Sequence, residues 1–216
     1  MPLLLIDLDN TLVDRAAAYR AWAMSYLTAN GHDRDLLEAM VVADGDGLRP
    51  KPEVAEDLGV LLDLDEEEEA RIVKVLRAGV VEYLGLVPGC IEALGTARAA
   101  GWTPFIVSNG VTAQQEKKIH SLGLDKHVDG WVISEEAGVA KPDPRIFAIA
   151  SERSGQSLEG AWHIGDSGPA DVVGAQAAGI PVVYLSRGRR WDATLTEPTA
   201  VADSLPEAVT IVLAAR

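Results

Sequence analysis

Four short segments carry most of the side chains able to do chemistry: Asp7-Leu8-Asp9-Asn10-Thr11, Ser108-Asn109-Gly110, Lys141-Pro142-Asp143-Pro144 and Gly165-Asp166-Ser167-Gly168-Pro169-Ala170-Asp171. Carboxylates crowded at one point repel one another unless a cation neutralises them. Oxygen ligands with no His or Cys partner select a hard ion, here Mg2+, which keeps coordination positions for water and phosphate oxygens. Lys141 and Ser108 then supply the positive charge and hydrogen bond that a phosphoryl group needs. Such a set describes phosphoryl transfer.

These segments can meet only if the chain places them at one edge of a sheet. Leu3-Leu4-Leu5-Ile6 is a continuous apolar run, the pattern of a strand buried on both faces. Similar runs are Pro104–Val107, Trp131–Ile133, Ala161–Ile164 and Pro181–Leu185. From the second run onward they alternate with helical segments, several of which stop at a glycine: Gly101, Gly123, Gly155 and Gly179. Repeated strand and helix units predict an α/β fold with a Rossmann-like parallel sheet. In such sheets functional groups gather at the carboxyl ends of the strands, where all four segments fall.

Between the first and second strands the alternation fails. Arg15–Asn30, Asp33–Ala43, Glu53–Leu62 and Asp65–Val81 all read as helices, with a turn-rich loop from Asp44 to Pro52. The expected organisation is an α/β core of residues 1–13 and 85–216, interrupted by an α-helical insertion of residues 14–84. Arg49 and Lys51 in the turn-rich loop are the insertion's candidate substrate contacts. Tyr19, Trp22 and Tyr26 recur at helical spacing and read as a packed face. The acidic run Asp65–Glu69 reads as a solvated helix start, and Leu205–Ala215 as a closing helix.

The four segments, in this order, resemble the four motifs of the haloacid dehalogenase (HAD) superfamily, and the helical insertion resembles that superfamily's type 1 cap domain. The resemblance implies a phosphatase mechanism through an aspartyl-phosphate. Asp7 would be the nucleophile, Asp9 the general acid and then base, and Lys141 a ligand of the transferring phosphoryl oxygens. Asp7, Asp166 and the backbone carbonyl of Asp9 would hold Mg2+, with Asp171 orienting Lys141 or a metal-bound water. Ser108, Asn109, Gly110 and Thr11 would complete the substrate-binding set, Thr11 as a buttress of its loop. Asp9 favours a phosphatase over a 2-haloacid dehalogenase-like hydrolase, which lacks an acid there. A phosphosugar mutase keeps both aspartates and remains an alternative, as does a catalytically idle binding protein. Gln114 or Gln115, Lys118 and Gly123, with Ser134-Glu135-Glu136, lean toward the branch of nucleoside 5′-monophosphatases and N-acylneuraminate-9-phosphatases. Ala170, where many relatives carry Asn, and Ser108, where this branch often has Thr, are departures.

Composition narrows the partners. The 216 residues carry a net charge of −14, a field that repels nucleic-acid polymers and anionic membranes. No apolar run approaches a membrane span or a signal peptide, so a cytoplasmic protein is expected, monomer or homodimer, acting on a small phosphate ester. One cysteine, Cys90, excludes an internal disulfide. The histidines, including His163, lack ligand spacing, and His163 reads as structural. Arg187, Arg189 and Arg190 read as a solvated loop, with contact to a polyanionic substrate as the alternative.

Overall fold

The computed structural model describes residues 1–215 and divides the chain into two compact units: Met1–Val13 together with Leu86 onward, and Asp14–Gly85. The second unit is helical: α1 (Arg15–Asn30), α2 (Leu37–Asp44), α3 (Lys51–Leu62) and α4 (Glu66–Glu82). Each helix has a local reason to start or stop. The Asp14 carboxylate accepts the Ala17 N–H at 3.0 Å to open α1, and Gly31 closes it in the left-handed conformation at φ 73°. Asp65 and Glu68 exchange backbone hydrogen bonds in a capping box at α4.

Tyr19, Trp22, Leu27, Met40, Leu58, Ile72 and Leu76 fill this unit's core. The rings of Tyr19, Trp22 and Tyr26 follow one another at 5.5 and 5.4 Å, and the buried Tyr19 hydroxyl donates to the Met40 carbonyl. Gly79, inside α4, lies under Trp22; a Cβ there would come within 2.2 Å of the indole, so the helix accepts glycine's lower propensity to let the ring pack. The expected loop from Asp44 to Pro52 is shorter than the sequence suggests. α2 runs through Asp44 and α3 starts at Lys51, because Pro52 falls in the first helical turn, where its missing N–H is no loss.

The first unit contains the sheet. Its strands are β1 (Leu3–Ile6), β2 (Thr103–Ser108), β3 (Trp131–Ile133), β4 (Trp162–Gly165), β5 (Val182–Leu185) and β6 (Ala200–Ala202). Their order is β3-β2-β1-β4-β5-β6 and every pairing is parallel; Leu4, for example, lies between Pro104 and Trp162. Strand order reverses between β1 and β4, which opens a crevice beyond their carboxyl ends. The remaining helices are α5 (Cys90–Ala99), α6 (Thr112–Ser121), α7 (Ser134–Ala137), α8 (Arg145–Ser154), α9 (Val173–Ala177) and α10 (Leu205–Ala214). β1 is buried at all four positions and packs with Phe105, Val107, Val132, Ile146, Phe147 and Val182. Among the described residues, no helix is long and apolar enough to cross a membrane. β6 is an addition to the expected five strands: Ala-Val-Ala is too short and too weakly apolar to stand out, and it sits at the sheet edge with Val201 exposed.

Candidate functional site

Asp7 follows β1 directly, and its N–H donates to the Ile164 carbonyl of β4 at 2.9 Å, fixing the carboxylate at the switch point. Asp166 follows β4, and Asp171 lies in the helical turn beyond it. One carboxylate oxygen from each of Asp7, Asp166 and Asp171 falls within 4.8 Å of the others, and all three residues are buried. Close approach depends on Gly165: a Cβ there would lie 2.3 Å from Asp171 Cγ, so β4 must end in glycine.

Lys141 binds this cluster together. Its Nζ donates to Asp7 Oδ1 at 2.6 Å, to Asp171 Oδ1 at 2.7 Å and to the Val107 carbonyl at 2.7 Å. Asn109 holds the lysine's backbone from both sides: its Nδ2 donates to the Lys141 carbonyl and its Oδ1 accepts the Lys141 N–H, each at 2.9 Å. Asp171 also accepts the Ser167 N–H, and its Oδ1 lies 2.9 Å from His163 Nε2, while His163 Nδ1 lies 3.2 Å from the Leu5 carbonyl.

Burial and charge divide these acids. Burial raises the Asp7 carboxyl above the usual range, Lys141 opposes it, and the carboxylates of Asp171 and Asp166 push further upward. Burial alone would raise Asp171 too, but Lys141 and His163 outweigh it and hold that carboxyl below its usual value. Lys141 is desolvated, yet Asp171 and Asp7 keep its ammonium charged. Burial holds the His163 imidazole below its ordinary range, against the upward pull of Asp171.

Asp9 points elsewhere. Both of its carboxylate oxygens accept from Lys118 Nζ at 2.7 Å, and Oδ2 also accepts from Gln115 Nε2 at 2.9 Å. Gln115 donates in addition to Ser108 Oγ at 2.7 Å, so α6 ties together the ends of β1 and β2. The buried Thr11 hydroxyl has no hydrogen-bond partner among the described residues, and the Gly110 N–H is engaged by Ser134 Oγ at 2.9 Å.

The sequence-derived candidates therefore fall into groups. Asp7, Lys141, Asp166 and Asp171 converge, Ser108 and Asp9 are bridged by Gln115, and Asn109 supports Lys141. Arg49 and Lys51 belong to the helical unit. Arg49 is tied to the Ala43 carbonyl and to Asp57, and Lys51 Nζ lies 3.6 Å from Asp44, which the buried Arg15 grips through both oxygens at 2.6 and 2.8 Å. The arginine loop after β5 is a correction: Arg187 and Arg189 are not simply solvated. Arg187 Nη1 and Arg189 Nη2 donate to Asp166 Oδ2 at 3.2 and 2.9 Å. Loop composition gave no sign of a partner 21 residues away in sequence. Lys118 on Asp9 was likewise missed as a contact; its spacing from Gln115 on one helix face was the available signal.

The chain belongs to the haloacid dehalogenase-like hydrolase family, whose model matches residues 1–179. It is 30% identical over 225 residues to the phosphoglycolate phosphatase of Mesorhizobium japonicum, covering 100% of this chain and 96% of that protein. It is 37% identical over 110 residues to the glyceraldehyde 3-phosphate phosphatase of Methanopyrus kandleri, covering 51% of this chain and 47% of the relative. The chain thus spans about half the length of several of the curated relatives it matches. The HAD-hydrolase YfnB of Bacillus subtilis, solved bound to magnesium, superposes with a TM-score of 0.82 at 26% identity, over 98% of each chain.

Proposed function

We propose that this chain is a Mg2+-dependent phosphatase that hydrolyses a small phosphate monoester, such as a sugar phosphate or a nucleoside 5′-monophosphate, through an aspartyl-phosphate. The observation that carries this reading is the buried Lys141 ammonium bridging Asp7 and Asp171, with Asp166 beside them. The similarity to a phosphoglycolate phosphatase over the whole chain supports it.

The donor set fits a hard divalent cation, because it offers clustered carboxylate oxygens and no sulfur or imidazole ligand. Asp7, Asp166 and the Asp9 carbonyl are the residues to hold Mg2+; Asp171 is already committed to Lys141, Ser167 and His163. When bound, the ion neutralises the carboxylates and the incoming phosphate, making attack by one anion on another feasible. Asp7 attacks phosphorus, forming the aspartyl-phosphate as the ester P–O bond breaks. Asp9 gives its proton to the departing alcohol and afterwards takes one from the water that cleaves the intermediate, so free phosphate leaves and Asp7 is restored. Lys141 and Ser108 would hold the phosphoryl oxygens, with the lysine backbone fixed by Asn109. The helical unit is proposed as the cap that selects the leaving group.

Purified protein is expected to hydrolyse p-nitrophenyl phosphate with Mg2+ and to stop with EDTA. Asp7→Asn should remain folded by circular dichroism and turn over none; undiminished activity in that variant would sink the proposal. A panel of sugar phosphates, nucleotides and phosphoglycolate then identifies the preferred ester.

A further inference from the structure

We propose that Arg187 and Arg189 form a cationic latch on Asp166 that must release before a divalent cation binds, and that the latch sets the affinity for that cation. This rests on the metal-holding role proposed for Asp166.

Asp166 is a buried carboxylate whose Oδ2 accepts from Arg187 at 3.2 Å and from Arg189 at 2.9 Å. The two arginines are held differently. Arg189 is anchored to the main chain: Nη2 donates to the Asp166 carbonyl at 2.5 Å and Nε to the Ser186 carbonyl at 3.2 Å, while its guanidinium lies 5.8 Å from the centre of the Tyr184 ring. Arg187 sits at φ 50°, a left-handed conformation that side chains rarely adopt and glycine adopts freely. Its neighbour Gly188, at φ 77°, continues the same turn. From this turn the Arg187 guanidinium reaches the buried Asp166 carboxylate.

Formal charge explains what the latch does. Lys141, Arg187 and Arg189 bring three positive charges against the carboxylates of Asp7, Asp166 and Asp171. That is enough to offset all three when they are ionised, so the buried carboxylates tolerate their crowding. A divalent cation on Asp166 would meet two guanidinium groups already using the same oxygen. Coordination requires at least Arg187 to give up its bond, and the two cations then repel. Both effects weaken metal binding relative to a centre with Lys141 alone. With the ion bound, the centre carries an excess of two positive charges, which a phosphate monoester dianion cancels. The latch therefore favours loading metal and substrate together over metal alone.

Arg187→Gly removes the guanidinium while easing the backbone, so it is the variant most able to keep the fold; Arg187→Gln removes the charge but keeps the side chain's length. Protein stripped with EDTA and dialysed is titrated with Mg2+ by isothermal calorimetry. Loss of one charge-assisted bond from the metal-free state is expected to tighten binding roughly tenfold in both variants. The metal-free variants should melt below the metal-free wild type, and the gap should close at saturating Mg2+. Equal affinity in wild type and variants overturns the latch while leaving the proposed metal dependence intact. Weaker binding in the variants also overturns it, since the arginines would then be orienting Asp166 for the metal. Binding in neither wild type nor variants overturns the latch and the metal-dependent reading together.

Discussion

Replacing Lys141 by methionine tests whether the centre is held by one buried cation. Methionine preserves most of the volume and removes the ammonium, stranding three acceptors: Asp7 Oδ1, Asp171 Oδ1 and the Val107 carbonyl. Breaking a buried ion pair by deleting one partner costs about 3–5 kcal/mol. The lower end applies here, for two structural reasons. Asp171 keeps the Ser167 N–H and the His163 imidazole as partners. Asp7, whose carboxyl burial already pushes upward, can escape by taking a proton. A loss of about 3 kcal/mol is therefore expected in urea unfolding at neutral pH with EDTA present, read by circular dichroism. Mg2+ should restore part of it, because a cation on the same carboxylates replaces the missing charge. Phosphatase turnover should fall by about 10²–10³, the usual cost of deleting one donor to a developing oxyanion. A stability loss below about 1 kcal/mol would refute the reasoning, since the carboxylates would then be satisfied without the lysine.

Other outcomes follow from the same geometry. Asp7 titrates above its unfolded value of 3.8, so its contribution to stability is complete below about pH 4 and is lost as pH rises through the folded value. Metal-free wild type should therefore lose stability toward neutral pH relative to Asp7→Asn, and parallel denaturation curves from pH 4 to 8 would contradict this. Lys118→Ala is expected to slow alkyl phosphates about 10²-fold while slowing p-nitrophenyl phosphate far less, because the lysine grips Asp9 and only a poor leaving group needs a well-placed acid. Equal losses on the two substrates would make Lys118 merely structural. Cys90 is buried and its thiol is pushed up to about 12 by burial and then by Glu92, so it should resist disulfide reagents at pH 8 until urea unfolds the chain.

Legibility in the sequence followed burial. β1, β2 and β5 are buried enough to write themselves as largely apolar runs, and glycines at left-handed positions such as Gly31, Gly123 and Gly155 mark where helices end. The order of Asp7, Lys141, Asp166 and Asp171 was readable because each follows a strand or its loop, and a parallel sheet brings all such loops to one edge. What stayed hidden depends on direction rather than position. Gln115 and Lys118 are two polar residues in a polar helix, and only the docking of α6 turns them toward Asp9 and buries them. Arg187 and Arg189 lie in a loop of Ser, Gly and Arg that has no apolar period to betray an inward turn. β6 has only three residues and one buried side chain, so its pairing with β5 left no trace.

The distribution of charge reconciles an acidic protein with an anionic substrate. A net charge of −14 repels extended polyanions at long range, but salt screens that field beyond about 8 Å. Within that distance the local cations count for more: Lys118 pairs with Asp9, Lys141 with Asp7 and Asp171, and Arg187 and Arg189 with Asp166. The two acids after β1 sit in different surroundings. Asp7 is surrounded by carboxylates and one cation, which keeps its charge costly until a further cation compensates it. Asp9, two residues on, is paired with Lys118 on a helix that also grips Ser108 through Gln115, so the carboxylate and the Ser108 hydroxyl are positioned by one rigid element.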